Sequence, residues 1–196
     1  MNKLLFYTVT VLLITLTVAV IPTEADGKIY EDTVRLHILA NSDSEEDQEL
    51  KLRLRDDILS EFSEKLSYAD DAEKAKESIR LMLPEIESFS EKKLKSYGYS
   101  YPVKVTLTEE WYDTREYEDF TLPKGNYTSL RIIIGSGKGK NWWCVAYPPL
   151  CLDMALEHAP KDDAVKKYSE SEFELITKSG YKAKFKVLEL VSSIFS

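Results

Sequence analysis

Cys144 and Cys151 are the most reactive side chains in the sequence, and they flank the bend Pro148-Pro149. In an oxidising location two thiols placed across a bend pair as a disulfide candidate; the alternative is two buried thiols packed as small hydrophobes. A nucleophilic thiol needs a base within hydrogen-bond reach. The two histidines, His37 and His158, have no spacing that sets either beside a cysteine. Nor do the four residues form a zinc motif, since neither the Cys–Cys nor the His–His interval matches a ligand pair.

The run Gly135-Ser136-Gly137-Lys138-Gly139-Lys140 invites comparison with a phosphate loop. That chemistry needs a Gly-Lys-Ser/Thr ending at a helix N-terminus, so that backbone N–H groups converge on an anion. Here Asn141-Trp142-Trp143 follows, with the character of a strand. Gly135, Gly137 and Gly139 are therefore expected to form a hairpin turn between two strands. The carboxylates Glu109, Glu110, Glu116, Glu118 and Asp119 lie in a charged stretch and read as a solvated face rather than an acid–base pair.

Aromatic residues carry more information. Twelve tyrosines, three tryptophans and seven phenylalanines exceed what a core of this size needs. Trp142 and Trp143 are adjacent on a predicted strand and must point to opposite faces. One enters the core, and the other meets water, a partner or a covering helix. With Tyr127 and Arg131 they are the candidate partner-binding residues, being amphipathic types enriched at interfaces.

The elements that position these groups follow from periodicity. Val34, Leu36 and Ile38 alternate with Arg35 and His37, predicting a strand over 33–40. Ser42 with Glu45 has capping-box spacing, and Leu50, Leu54, Ile58, Phe62 and Leu66 form one stripe of the helix that follows. A second helix starts near Asp70-Asp71, is expected to kink or break at Pro84, and closes at Gly98. Beyond it the pattern becomes extended. Val103, Val105 and Leu107 mark one strand and residues 116–122 a weak one. Residues 127–134 and 141–147 are two more, the first with Thr128, Leu130, Ile132 and Ile134 on one face. In the last 45 residues a helix over 162–168 and a strand over 181–187 running into a closing helix are expected. The fold class is α+β: a single domain with an early helical hairpin packed on a mainly antiparallel sheet.

A signal or anchor helix precedes this domain. Asn2-Lys3 is a short basic start, and Leu4 to Ile21 is an uncharged run of 18 residues. Pro22 then breaks the run, and small residues precede a possible cut after Ala25. Residues 1–25 are thus a signal peptide or, at that length, a membrane anchor, and 26–196 the globular part. Export is expected in both cases. The net charge of −8 argues against nucleic acid, whose binding rests on neutralising phosphates with Lys and Arg. No cofactor motif and no small-molecule site is recognisable.

Two blocks of residues resemble the stage II sporulation protein R family. The first is Arg35 with Ala40-Asn41-Ser42-Asp43-Ser44, Asp47-Gln48, Leu50-Lys51 and Arg55-Asp56. The second is Leu130-Arg131-Ile132-Ile133-Ile134-Gly135, Gly137, Gly139, Asn141-Trp142-Trp143-Cys144-Val145 and Pro148-Pro149-Leu150-Cys151. His37 departs from the pattern, where an aliphatic residue is expected. The resemblance implies a non-catalytic signal of sporulation. Such a protein is exported from the forespore into the intermembrane space. There it activates a membrane-embedded aspartic protease of the mother-cell membrane, the stage II sporulation GA protein, which processes pro-sigma-E. The alternatives from other classes are an exported cell-envelope hydrolase and a glycan-binding module.

Overall fold

The computed structural model describes residues 3–20, 24–67, 69–117, 120–149 and 167–177. Helices α1 (Lys3–Val20) and α2 (Glu24–Glu31) lead into strand β1 (Val34–Leu39), then helices α3 (Glu45–Ser67) and α4 (Ala72–Ser96). Strands β2 (Val103–Tyr112), β3 (Arg115–Glu116), β4 (Thr121–Leu122), β5 (Gly125–Ile134) and β6 (Asn141–Tyr147) follow, and a short helix α5 (Glu170–Ile176). Among the described residues no helix is long and apolar enough to cross a membrane. Residues 162–166 of the helix expected at 162–168 and the closing elements expected at 181–195 lie outside the described residues, while Lys167 and Tyr168 form a turn and a bend, not helix.

The architecture is α+β, as periodicity predicts. A four-stranded sheet in the order β2-β5-β1-β6 carries the helical hairpin on one face. Two of its three pairings are antiparallel (β2 with β5, β1 with β6), and β1 runs parallel to β5. Leu36, Ile38, Leu130, Ile132, Ile134, Val103 and Val105 point to the helices and meet Leu50, Leu54, Ile58 and Phe62 of α3 and Ala75, Ile79, Ile86 and Leu94 of α4. All are buried. At roughly 25 cal/mol per Å² of apolar surface removed from water, this layer is the main favourable term of the fold.

Three local expectations are corrected. Ser42 does not cap α3. Ser44 does: its Oγ accepts from the N–H of Asp47 at 3.2 Å, while Ser42 Oγ donates to the Asp47 carboxylate. The helix therefore starts two residues later than the Ser-x-x-Glu spacing implies. Helix α4 runs unbroken through Pro84. Pro84 and Arg80 are both exposed, so the carbonyl that loses its partner faces water, while Ile79 and Ile86 pin both halves to the sheet. Asp71 caps its start, and a Schellman pair closes its end, with Gly98 N–H donating to Lys95 O and Tyr99 N–H to Leu94 O.

The third correction concerns the glycines. Strands β5 and β6 are not neighbours, because β1 lies between them, so Gly135, Gly137 and Gly139 form no hairpin turn. Their loop crosses the end of β1 and closes over the exit of that strand. The N–H of Gly139 donates to Ala40 O at 2.9 Å and that of Lys138 to Asn41 O at 3.3 Å. Ser136 N–H donates to Asn41 Oδ1 at 3.0 Å, and Lys140 N–H to Asp43 Oδ1 at 2.6 Å. From α3, buried Lys51 donates to Lys140 O at 2.9 Å. The approach is close enough that a Cβ on Gly139 would strike the Ser42 carbonyl, and one on Gly135, whose φ is +58°, would strike the Asn41 side chain.

Gly139→Ala should accordingly lower unfolding stability by about 2 kcal/mol, the scale for backbone strain with lost buried hydrogen bonds. Gly27→Ala, inside α2 with nothing near its added methyl, is the control and should be unchanged or more stable by up to about 1 kcal/mol. Urea denaturation of both variants reads this directly. Equal midpoints would show that the loop is not clasped on β1.

Candidate functional site

The strand alternation that sends Leu36 and Ile38 to the helices sends Arg35, His37 and Leu39 to the opposite face. The register sets Ser129, Arg131 and Ile133 of β5 beside them on one side, and Val145, Trp143 and Asn141 of β6 on the other. Beyond β5 the same face continues through Tyr112, Glu110, Thr108 and Thr106 of β2. The second face of the sheet is therefore polar and aromatic where the first is aliphatic.

Its centre is His37. The ring is 7% exposed and sits with Nδ1 3.0 Å from Glu110 Oε2 and Nε2 3.0 Å from Asn141 Oδ1. It stacks on Trp143 with ring centroids 5.6 Å apart, and the Arg115 guanidinium covers the Trp143 ring at 3.9 Å. Both ring nitrogens face oxygens, so an imidazolium donates to both; with the Asn141 amide turned over, a neutral ring is served equally well. Arg131 Nε lies 3.3 Å from Glu110 Oε1. Tyr112 donates to Glu110 Oε2 at 3.1 Å and shares a 2.7 Å bond with Ser129 Oγ. Glu110 thus joins β1, β2 and β5 across the sheet. Burial pushes its carboxyl pKa up, but hydrogen bonds from Ser129 and His37 and the charges of His37 and Arg131 outweigh that, leaving the pKa below its ordinary value.

At one end this face is closed. Arg35 is fully buried, with Nε donating to Cys144 O at 3.3 Å and Nη2 to Tyr117 Oη at 3.0 Å. Its guanidinium lies over the rings of Tyr112 (4.3 Å) and Tyr127 (5.2 Å). Tyr127 is itself fully buried, packs edge-on against Tyr30 of α2 and donates to Pro123 O at 2.7 Å. Burial raises the hydroxyl pKa of Tyr117 and holds those of Tyr112 and Tyr127 well above the ordinary tyrosine value. The opposite end is more open. The Arg131 side chain is 35% exposed, and Asn141 and Lys104 are exposed.

The sequence-predicted residues are divided among three places. Asn41, Ser42 and Asp47 meet the glycine loop; the Asp47 carboxylate, despite some burial, is held below its ordinary pKa chiefly by bonds from Ser42 and Asn41. Arg131 and Trp143 join the polar face. Trp142 points the other way, half-buried under α3 with Arg55 5.0 Å from its ring, so the tryptophan pair divides between faces as alternation requires. Tyr127 is not a surface contact: the missing side chain of Gly125 admits Tyr30, which with Tyr112 and Arg35 seals it in. Cys144 is buried on the helix side, opposite to His37, so the two do not meet. Cys151, His158, Glu118 and Asp119 lie outside the described residues, and with Cys151 the disulfide candidate. No cluster of three metal-ligating side chains occurs among the described residues.

His37 and Glu110 are the residues that sequence reasoning missed. Where the family pattern has an aliphatic residue, His37 fills a polar position beside Arg131 and Trp143. The signal was present in the alternation, which already placed Arg35 and His37 on one face; the partner strands were not readable from it.

A family model, Stage II sporulation protein R (spore_II_R), matches residues 30–156. The chain belongs to this family. It is 34% identical over 187 residues to the Stage II sporulation protein R of Bacillus subtilis (strain 168), covering 86% of this chain and 84% of that protein. No solved structure matches. The matched span runs from α2 through β6 and includes both the glycine clasp and the polar face.

Replacing Glu110 by Gln should cost about 2 kcal/mol at pH 7, the scale for removing a hydrogen-bonded charge from a partly buried cluster. Because the folded pKa is depressed, the carboxylate stabilises the fold above its ordinary 4.5, and that contribution is lost as pH falls through the lower folded value. The gap between Glu110→Gln and wild type should therefore narrow as the pH falls below 4.5. Denaturation at pH 7 and pH 3.5 measures it; a gap independent of pH would contradict the assigned network.

Proposed function

We propose that this chain is an exported, non-catalytic signal of sporulation that activates a membrane-embedded aspartic protease, the stage II sporulation GA protein, leading to processing of pro-sigma-E. Residues 1–25 act as signal peptide or anchor, and the remainder works in the space between forespore and mother cell. The observation that carries the reading is membership of the stage II sporulation protein R family over most of the chain. The glycine clasp supports it, since the two blocks that carry the resemblance bind each other through four backbone donors. The two blocks then make one shape, assembled from distant segments. On that shape the contact surface is the open end of the polar face, with Arg131 and Trp143 as anchors.

Co-expression of the full chain with the protease and its pro-factor in a cell that does not sporulate is the direct test, and wild type should trigger cleavage. Arg131→Ala and Trp143→Ala should weaken activation by about 30-fold each, the loss expected from removing an interface anchor worth ~2 kcal/mol. Both variants are checked for folding by circular dichroism. Full processing by folded variants rejects this surface, and no processing by wild type rejects the activator role.

A further inference from the structure

Strand β2 is an edge strand, and the hydrogen-bond register says which of its residues look outward. Gly135 N–H donates to Pro102 O at 2.8 Å, which makes Val103↔Ile134 a non-hydrogen-bonded pair. Lys104, Thr106, Thr108, Glu110 and Tyr112 then exchange bonds with β5. The N–H and C=O groups of Val105, Leu107, Glu109 and Trp111 point away from the sheet. Val105 is capped, its N–H donating to Glu87 Oε2 of α4 at 2.9 Å. Among the described residues no hydrogen bond reaches the other three outward N–H groups. Their side chains share one face, on the helix side but increasingly clear of α4: Val105 is buried, Leu107 half-buried, Glu109 exposed and Trp111 63% exposed.

Natural edges are commonly blunted by capping groups, prolines or inward charges. Among the described residues only the first half of this one is, by Glu87. We propose that the stretch from Leu107 to Trp111 is a strand-addition site for an extended segment of the partner, an apolar side chain of which covers Trp111 while a Lys or Arg meets Glu109. Main-chain bonds supply the affinity in this mode, and alternate side chains the selectivity. Charge favours such an occupant. Glu109 and Asp113 are exposed along this edge, on a chain of net charge −8. A second copy of the chain fits poorly: a two-fold pairing centred on Glu109 opposes like carboxylates, and one centred on Leu107 has to displace the Glu87 cap. The added strand also continues the polar face, running beside Thr108 and Glu110. This inference rests on the activator reading and names its docking edge.

Proline separates the edge from the fold. At Glu109 it deletes an outward N–H and leaves the β2–β5 ladder whole, whereas at Thr108 it deletes a ladder bond. In the co-expression assay, Glu109→Pro should fold and reduce processing at least ten-fold, and Trp111→Ala should reduce it several-fold; Thr108→Pro should unfold. In the same detergent-solubilised preparation, amide exchange at Leu107, Glu109 and Trp111 should slow when the protease is present. The inference is overturned by a folded Glu109→Pro chain that activates normally. It is equally overturned if these amides exchange freely while wild type is active. If Glu109→Pro does not fold, the exchange measurement decides. Protection that rises with chain concentration in the protease's absence assigns the edge to self-pairing and also overturns it. A wild-type chain that triggers nothing is a different result, because it removes the activator role itself.

Discussion

Strand β1 has hydrogen-bonded neighbours on both edges, and that constraint organises everything around it. Its backbone is satisfied by β5 in parallel and β6 in antiparallel register. A parallel neighbour cannot be reached by a tight turn, so the chain must cross over before β5 begins. Helices α3 and α4, with β2, supply that crossover and bury one face as they do so. With β1 inserted between β5 and β6, the loop joining those two has to cross the end of β1. Glycines that would be spare in a hairpin then become necessary, because the loop backbone passes against Ser42 with no room for a Cβ. The buried Lys51 extends the same constraint into α3 by tying its second turn to the loop. A segment near residue 40 and one near residue 138 thus depend on each other for their hydrogen bonds, and losing either takes acceptors from these donors, buried Lys51 among them.

Local elements were largely legible in the sequence, and their arrangement was not. The stripe Leu50, Leu54, Ile58, Phe62 and the alternation in β1 and β5 are local signals of which aliphatic side chains meet across the helix layer, and the structure buries them there. Strand order is a long-range property that alternation does not encode. Two strands joined by a glycine-rich run imply a hairpin only while nothing else pairs between them. Pro84 misled for a related reason: intrinsic propensity counts the lost bond, but apolar anchors on both sides and a solvated carbonyl absorb the cost. At the cap, Ser42 and Ser44 both have a suitable residue three positions on, and the demand for Asp47 by Ser42 and Asn41 decides between them.

The candidate site was half visible. Arg131 and Trp143 stand out by type, yet Glu110 looked like one carboxylate in a solvated run. In the structure it differs from its neighbour Glu109 through a single alternation: Glu110 points into the face occupied by His37 and Arg131, while Glu109 points to the other side, where Thr128 donates to it at 2.7 Å. Tyr127 erred in the opposite direction. An aromatic with a polar tip is equally suited to an interface and to a buried position with one acceptor, and Pro123 O supplies that acceptor.

The two ends of the polar face are built on different electrostatic terms, which separates stability from recognition. At the closed end the partners of Arg35 among the described residues are neutral: a carbonyl, a phenol and two aromatic faces. Burying a charge without an anion costs several kcal/mol, so these contacts must all be kept for the fold to hold. Arg35 therefore ties Tyr117, next to the β3–β4 ribbon, to the sheet, and it is unavailable to a partner. At the open end Arg131 has its carboxylate and remains one-third exposed, a geometry in which an ion pair contributes only about 0–1 kcal/mol to folding. A charge whose removal costs the fold so little can exchange water for a partner without unravelling the domain. By this difference in burial, not by chemical type, the two arginines on one sheet face take opposite roles.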